Sequence, residues 1–239
     1  MKKLVVITGA SSGIGMELAR RFSAEGHPVL MLARRREVME ELNLPNSLCR
    51  SVDVTDLEAM QSAVREAEEL YGKTDLLINC AGLMLLGYPA EQDFDEWSRM
   101  IDVNVKGVLT GTKAVLSDMI AHNEGTIINI SSIAGRKTFD NHPVYCGTKY
   151  AVHAMTESMR REVSGSNVRM IVIAPGVVET PLLSHTSNQE IKDNYNPWKQ
   201  EIDGGLEPSQ IADCAWFAYQ MPQEVCVREI VIAKTKQAD

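Results

Sequence analysis

The stretch that decides the fold is Lys3-Leu-Val-Val-Ile-Thr8-Gly-Ala-Ser-Ser-Gly-Ile-Gly15, near the start of a chain of 239 residues. Its β-branched apolar run predicts a buried parallel strand, and the periodic segment 14–25 predicts a helix. The glycine pattern between them permits a tight turn and lets backbone amides approach a phosphate at the start of the helix. The stretch therefore predicts the first half of a βαβ unit that binds a dinucleotide.

The glycine turn and the residues after the second strand are predicted to contact the dinucleotide cofactor. The second strand is predicted over 28–33, and Arg34-Arg35-Arg36 follows it directly. NAD-binding domains usually place an acidic residue here for the ribose 2′-hydroxyl, where this chain has Ala33 and Arg34. A guanidinium instead favours a 2′-phosphate, which predicts NADP(H) as the cofactor, unless the arginines are a solvated start of the next helix. The residues predicted to contact the cofactor are Gly9, Ser11, Ser12, Gly13, Ile14, Gly15, Arg34 and Arg35.

A second motif carries acid–base chemistry. Tyr145 and Lys149 share one face of a helix predicted to begin near Pro143, because they are four residues apart. A tyrosine with a pKa of about 10 needs roughly 4 kcal/mol of help to exchange a proton near pH 7. A neighbouring ammonium acts in that direction. Ser132, after the apolar run 126–130, offers a hydroxyl to the same substrate oxygen.

These motifs and Asn79-Cys-Ala-Gly82, in this order and spacing, resemble the classical short-chain dehydrogenase/reductase family over nearly the whole chain. The resemblance implies that Asn104 supports a proton relay by holding a water that links Lys149 to solvent. Cys80 stands where family members usually have asparagine, so no role is transferred to it. The further cofactor contacts that the resemblance implies are Asp53 and Val54 at the adenine, Asn79, Ala81 and Gly82, Tyr145 and Lys149, and Pro175, Gly176, Val178 and Thr180 near the nicotinamide.

The order of predicted elements indicates an α/β fold. Strands at 3–8, 28–33, 48–52, 75–79, 125–131, 168–174 and 226–233 alternate with helices at 14–25, 56–71, 94–121, 143–163 and 207–219. This alternation predicts a single Rossmann-type doubly wound parallel sheet with helices on both faces and right-handed crossovers. One dinucleotide-binding and catalytic domain is expected over 1–239. The polar, irregular segment 181–205 predicts a substrate lid at about 177–206.

Composition limits the partners and the compartment. A formal charge of −8 and a pI near 5.2 argue against nucleic acid or an anionic membrane as the main partner. The apolar run at the N-terminus is too short for a signal peptide, and no later run approaches the length of a membrane span. Five cysteines without Cys-x-x-Cys spacing suit a reducing cytoplasm. Neither they nor the five histidines have the spacing of metal ligands, so no metal site is predicted.

The resemblance implies an NADP(H)-dependent oxidoreductase that moves a hydride between nicotinamide and a secondary alcohol or its carbonyl. Tyr145 is the expected general acid/base. The arginine pair and the segment 206–231 also look like the branch of NADP-dependent 3-hydroxy acid (serine) dehydrogenases. Two alternatives are an inactive nucleotide-binding regulator, which would usually lack the tyrosine or the lysine, and a serine hydrolase using Ser132. The hydrolase would need a Gly-x-Ser-x-Gly elbow, which this sequence does not contain.

Predictions for the pocket and for assembly complete the sequence-based picture. The pocket is expected to include Met84, Leu85, Arg136 and His142 beside parts of the lid. In the family, helices such as 94–121 and 143–163 pair across a two-fold axis, which implies a homotetramer or at least a homodimer. The apolar stripe expected on the second helix consists of Ala151, Val152, Met155 and Met159.

Overall fold

The computed structural model describes residues 2–238, and its centre is a seven-stranded sheet in the order β3-β2-β1-β4-β5-β6-β7. Every neighbouring pair is parallel. The predicted fold class is therefore confirmed. The strands are β1 (Leu4–Thr8), β2 (Val29–Ala33), β3 (Ser47–Ser51), β4 (Thr74–Asn79), β5 (Gly125–Ile130), β6 (Val168–Pro175) and β7 (Glu229–Ile232).

Helices cover both faces of this sheet and bury its central strands. They are α1 (Gly13–Ala24), α2 (Arg36–Glu40), α3 (Leu57–Tyr71), α4 (Phe94–Ile101), α5 (Gly107–His122), α6 (Pro143–Glu162), α7 (Gln189–Glu201) and α8 (Pro208–Gln220). One core layer joins α1 and α8 around Phe22 and Trp216, and the other joins α3 and α5 around Met60 and Met119. Burial on both faces explains why the central strands are continuous apolar runs.

The strand order reverses between β1 and β4, because the chain continues outward in opposite directions from these two neighbours. In open α/β sheets a ligand binds in the crevice outside the carboxyl ends of the strands at such a switch point. Thr8 joins the two strand ends here, since its Oγ1 accepts hydrogen bonds from the backbone N–H groups of Cys80 at 3.0 Å and Ala81 at 3.1 Å.

Two predicted elements differ from the structure. The helix expected over 94–121 is divided into α4 and α5 by a π-helical turn, Asp102–Lys106. The lid, expected to be irregular, contains a 3₁₀ turn, Pro181–His185, and the thirteen-residue α7. Asn188 caps α7, because its Oδ1 accepts from the N–H of Ile191 at 3.1 Å. Proline and asparagine were therefore misleading here: tertiary packing outweighs their weak preference against helix.

The apolar stripe expected on α6 is only partly available to a partner. Val152 is fully buried within the subunit, and Met159 packs against the core beneath α3 and α5. An apolar residue on α6 can pack into the core of its own subunit or against a partner subunit, and the sequence pattern does not distinguish the two. The large exposed apolar side chains on α4, α5 and α6 are Phe94, Ile101, Leu109, Ile120 and Tyr150.

Within residues 2–238, no helix is both long and apolar enough to cross a membrane. The same part of the chain contains no group of three or more His, Cys, Asp or Glu side chains placed to hold a metal ion. All five cysteines are free thiols.

Candidate functional site

The glycine turn between β1 and α1 forms a cradle that larger residues would fill. Gly9 and Gly13 adopt φ values of 69° and 52°, which L-residues with side chains rarely adopt. A Cβ on Gly9 would lie 2.8 Å from Ala81 Cα, and a Cβ on Gly15 would lie 2.3 Å from the Gly9 carbonyl oxygen. Ser12 at the N-cap makes no side-chain bond to the helix. The orphan N–H groups of the first helical turn are thus open to an anion.

A cavity of about 1040 Å³ extends from this turn along the carboxyl ends of the strands. Sheet order places the residues that follow β2 and β3 toward one end and those that follow β5 and β6 toward the other. The predicted site residues that line it are Gly9, Ser11, Ser12, Gly13, Ile14, Gly15, Arg34, Arg35, Asp53, Val54, Ala81, Gly82, Ser132, Tyr145, Lys149, Pro175, Gly176, Val178 and Thr180.

Tyr145 and Lys149 both lie on the inner face of α6, one turn apart, and each is 6% exposed. The Lys149 ammonium lies 5.7 Å from the centroid of the Tyr145 ring and donates a hydrogen bond to the carbonyl of Ile130 at 3.0 Å. The i, i+4 spacing therefore produces the predicted contact. The bond to Ile130 also ties α6 to the end of β5.

The ionisation of this pair is set mainly by burial. Burial raises the pKa of Tyr145, although the adjacent Ser132 hydroxyl acts to lower it. This is opposite to the downward shift expected from Lys149, because removal of the phenolate from water costs more than the neighbouring groups return. Burial likewise lowers the pKa of Lys149 to about 8. In the described site, the phenol is protonated and the lysine is charged at pH 7.

Two adjacent serines at the end of β5 have different surroundings. Ser132 Oγ accepts from the N–H of Ala134 at 3.1 Å and so caps a 3₁₀ turn at the cavity wall. Ser131 Oγ lies 3.0 Å from Nδ1 of His153, whose Nε2 lies 3.1 Å from Glu229 on β7. The contacts from Ser131 through His153 to Glu229 join the end of β5 to α6 and β7. Among residues 2–238, the serine with a histidine partner is Ser131 and not Ser132, which disfavours the hydrolase alternative.

Asn79 and Asn104 are not among the residues that line the cavity. The cofactor contact of Asn79 and the water-holding role of Asn104 in a proton relay stay predictions. Asn79 faces α5, where its Nδ2 lies 3.5 Å from Thr112 Oγ1, and the same atom donates to Asn129 Oδ1 at 2.9 Å. Asn104 is saturated by other bonds: it accepts from the N–H of Leu83 at 2.7 Å and donates to the Leu83 carbonyl at 2.8 Å and to Thr148 Oγ1 at 3.0 Å. These bonds join the π-helical turn to Leu83 and to α6.

The arginines that follow β2 lie at the opposite end of the cavity from Tyr145. Arg34 and Arg35 are exposed, and Arg35 Nη2 donates to Ser11 Oγ at 3.2 Å. Arg36 instead begins α2 and pairs with Glu40 at 2.7 Å. Asp53 accepts from the backbone N–H of Thr55 at 2.9 Å and from its hydroxyl at 2.8 Å, and these bonds lower the pKa of its carboxyl. The turn at Thr55 therefore supplies the main partners of this carboxylate, and the charge of Arg34 lowers its pKa further.

Sequence reasoning expected parts of the lid in the pocket but did not name the individual lid residues that line it. A Tyr-Asn-Pro-Trp sequence in an otherwise polar segment was the available signal, and Tyr195 and Trp198 from it pack edge to face at 5.2 Å. Of the predicted pocket residues, Met84 and His142 line the cavity, whereas Leu85 does not and Arg136 pairs with Glu229 at 2.6 Å. The unpredicted lining residues include Cys80, Phe139, Leu182, Leu183, Ile191, Tyr195, Trp198 and Gln237.

The fold and this cleft define a doubly wound, Rossmann-type α/β protein. Residues 3–191 match the family model for short chain dehydrogenase, and the chain belongs to that family. An uncharacterized oxidoreductase of Staphylococcus saprophyticus is 39% identical over 246 residues, which cover 99% of this chain and 97% of that protein.

Solved structures agree with this membership. The closed form of serine dehydrogenase complexed with NADP⁺ superposes with a TM-score of 0.90 at 30% identity, covering 99% of this chain and 96% of that one. The 3-ketoacyl-(acyl-carrier-protein) reductase of Brucella melitensis complexed with NADH superposes with a TM-score of 0.86 at 25% identity, covering 98% of both chains. Similar structures thus contain either nicotinamide cofactor.

Proposed function

We propose that this protein is an NADP(H)-dependent oxidoreductase that moves a hydride between nicotinamide and a secondary alcohol or its carbonyl. The observation that carries the proposal is the buried pair Tyr145 and Lys149, which shares one cavity with Ser132 and the glycine turn. The likeness to a serine dehydrogenase that binds NADP⁺ supports it.

The lining residues fit NADP(H). The open N–H groups of the glycine turn suit the pyrophosphate, and Arg34 and Arg35 suit a 2′-phosphate. Lys149 holds the nicotinamide ribose beside the substrate. When bound, the cofactor supplies or accepts the hydride. All other chemistry is carried out by side chains of the protein.

In the direction of reduction, Tyr145 donates its phenolic proton to the carbonyl oxygen of the substrate. The raised pKa of Tyr145 keeps the phenol protonated at pH 7, which is the form that a general acid requires. The Lys149 ammonium, 5.7 Å from the ring centroid, stabilises the phenolate that remains. Ser132 orients the oxygen by a hydrogen bond. In the direction of oxidation the phenolate form of Tyr145, stabilised by Lys149, accepts the proton from the alcohol and becomes the neutral phenol.

A 3-hydroxy acid is the proposed substrate, on the strength of the likeness to serine dehydrogenase. A screen of 3-hydroxy acids against uncharged secondary alcohols with NADP⁺, and of carbonyl compounds with NADPH, tests this choice. The inactive-regulator alternative predicts NADP(H) binding without turnover of any compound. It is disfavoured because both Tyr145 and Lys149 are present and buried at the cavity wall.

We also propose a cytoplasmic homotetramer, or at least a homodimer. The free cysteines suit a reducing compartment, and the exposed apolar residues Phe94, Ile101, Leu109 and Tyr150 suit a pairing of the α4–α5 segment and of α6 with further copies. Sedimentation velocity at micromolar concentration is expected to give a dimer or tetramer. A monomer at that concentration would contradict this assembly.

Titration of both cofactors tests the choice of NADP(H). A charge-assisted hydrogen bond contributes about 1.5–3 kcal/mol, so Arg34→Ala should weaken NADPH binding roughly ten- to a hundredfold and leave NADH binding nearly unchanged. Arg35→Ala should act in the same way with a smaller effect. Arg36→Ala, which removes only the pair with Glu40, is the matched control and should change neither affinity. Equal wild-type affinities for NADPH and NADH would return both arginines to the role of a solvated helix start.

A further inference from the structure

The tail that follows β7 folds back onto the wall of the cavity. Its N–H at Gln237 donates to the carbonyl of Lys234 at 2.9 Å, which closes a turn. The Gln237 side chain is only 7% exposed, and its Oε1 accepts a hydrogen bond from the backbone N–H of Val177 at 3.1 Å. A polar side chain from the tail is thus buried to bond one N–H beside the cavity.

The Gln237 side chain occupies the space beside Gly176 that a side chain at position 176 would need. A Cβ on Gly176 would lie 2.3 Å from Gln237 Oε1 and 2.9 Å from Ala233 Cβ. Any side chain at position 176 would therefore displace the amide from Val177. The absence of a side chain at Gly176 therefore allows the Gln237 amide to reach the N–H of Val177.

The backbone N–H groups on both sides of Val178, in the turn 176–179 that follows β6, have hydrogen-bond partners. Gly176 N donates to the Ile232 carbonyl at 2.7 Å, and Glu179 N donates to the Leu206 carbonyl at 2.8 Å. The N–H of Val178 has no acceptor among residues 2–238, and both Val178 and Gln237 line the cavity. The bonds at 176, 177 and 179 thus fix the position of one free N–H at the cavity wall.

We propose that Gln237 is a positioning residue for the nicotinamide-binding turn. By holding the N–H of Val177, it fixes the peptide that carries the free N–H of Val178, a donor suited to the carboxamide of the cofactor. The inference rests on the proposed function, because it requires that the cavity binds NADP(H). It extends the site to the tail, beyond the residues of any motif in the sequence.

Two ligands separate this role from general stability. NADPH has a nicotinamide ring, and 2′-phospho-ADP-ribose is the same molecule without it. Gln237→Met keeps the length of the side chain and removes the acceptor, so calorimetric titration should give a three- to tenfold weaker binding of NADPH, about the worth of one hydrogen bond. Binding of 2′-phospho-ADP-ribose should be unchanged. Gln237→Glu keeps an acceptor for Val177 and should restore NADPH binding to within about twofold of wild type.

Gln223→Met is the matched control, because Gln223 Nε2 donates to the carbonyls of Gly125 at 3.0 Å and Asn167 at 2.8 Å, at the amino ends of β5 and β6. It should change neither affinity. Failure of the wild type to bind NADPH would remove the proposed function itself. With wild-type binding intact, an equal loss for both ligands, no loss for either, or no restoration by glutamate would overturn the role of Gln237. Gln237→Ala carries the same expectation as the methionine variant if the latter does not fold.

Discussion

The helix that carries Tyr145 and the helix that covers the cavity are held in place by different interactions. On α6, Thr148 Oγ1 bonds Asn104 at 3.0 Å and Thr156 Oγ1 accepts from Asn129 at 2.8 Å, both within the buried core. On α7, Ile191 is the single buried residue of thirteen. Hydrogen bonds in the interior are stronger and less exchangeable with water than contacts at a surface.

The lid is attached in its middle by buried Thr186, whose Oγ1 accepts from the N–H of Leu86 at 3.1 Å and donates to the carbonyl of Met84 at 3.2 Å, and again at its end. Lys199 in the last turn of α7 pairs with Glu179 Oε2, and Glu179 Oε1 accepts from the N–H of Gly205 at 2.6 Å. Pro197 inside α7 lacks an N–H and weakens the helix at that point. The cavity floor, which α6 and the carboxyl ends of β5 and β6 form, is therefore held more firmly than α7, and we expect α7 to be the part that moves to admit substrate.

The largest effect is expected for a change in the floor. Tyr145→Phe keeps the packing of the ring and removes the transferable proton, so turnover should fall by at least about 10²-fold while NADPH binding is retained. Steady-state kinetics and fluorescence titration measure the two quantities. Tyr195→Phe removes a phenol from the lid side of the same cavity and should change turnover by only a few fold. A Tyr145→Phe enzyme with more than a tenth of wild-type turnover, with chemistry rate-limiting, would assign the acid/base elsewhere.

The second effect concerns the loss of stability that burial of the Lys149 charge causes. Lys149→Met should lose turnover by at least about tenfold and weaken NADPH binding, because the lysine has both roles. The same variant should raise Tm by a few degrees at pH 7, because it removes a buried charge whose pKa has been lowered to about 8.

The pH dependence of that gain has a definite sign. Burial lowers the pKa of Lys149 to about 8 in the folded protein, whereas an ordinary lysine in the unfolded chain has a pKa of about 10.5, so wild-type stability rises with pH between these values. The advantage of Lys149→Met is therefore largest below pH 8 and should shrink toward pH 10. Scanning calorimetry at pH 7 and pH 10 measures it, with exposed Lys113→Met as the control. An advantage that grows with pH would contradict the lowered pKa.

The smallest effect is expected for the lid attachment. Glu179→Gln weakens the pair with Lys199 but keeps an acceptor for Gly205, so the KM for substrate should rise about three- to tenfold with kcat less affected. Lys236→Ala breaks the exposed pair with Asp203, which measures 2.7 Å, and should leave both constants unchanged. A fall in kcat without a change in KM would mean that Glu179 acts on the floor and not on closure of the lid.

The positions of Tyr145, Lys149 and the glycine turn follow from local rules, so the sequence predicts where they lie. The i, i+4 spacing of Tyr145 and Lys149 requires only a helix, and the glycine turn requires only a strand followed by a helix. Patterns could not give the orientation of Asn79 and Asn104, because both side chains are oriented by neighbours distant in sequence: Asn129 for the first and Leu83 and Thr148 for the second. They also failed for α7, where packing onto the cavity outweighs weak helix propensity.

The sequence by itself determined the parallel α/β sheet and the meeting of the motifs at one sheet edge, because strand and helix periodicities and parallel connections leave few other arrangements. Only the tertiary structure decided the protonation states of Tyr145 and Lys149 and which residues line the cavity. Burial, which raises the pKa of Tyr145 and lowers that of Lys149, depends on every surrounding element. Gln237 reaches Val177 across 60 positions of the chain, a contact that no local pattern encodes.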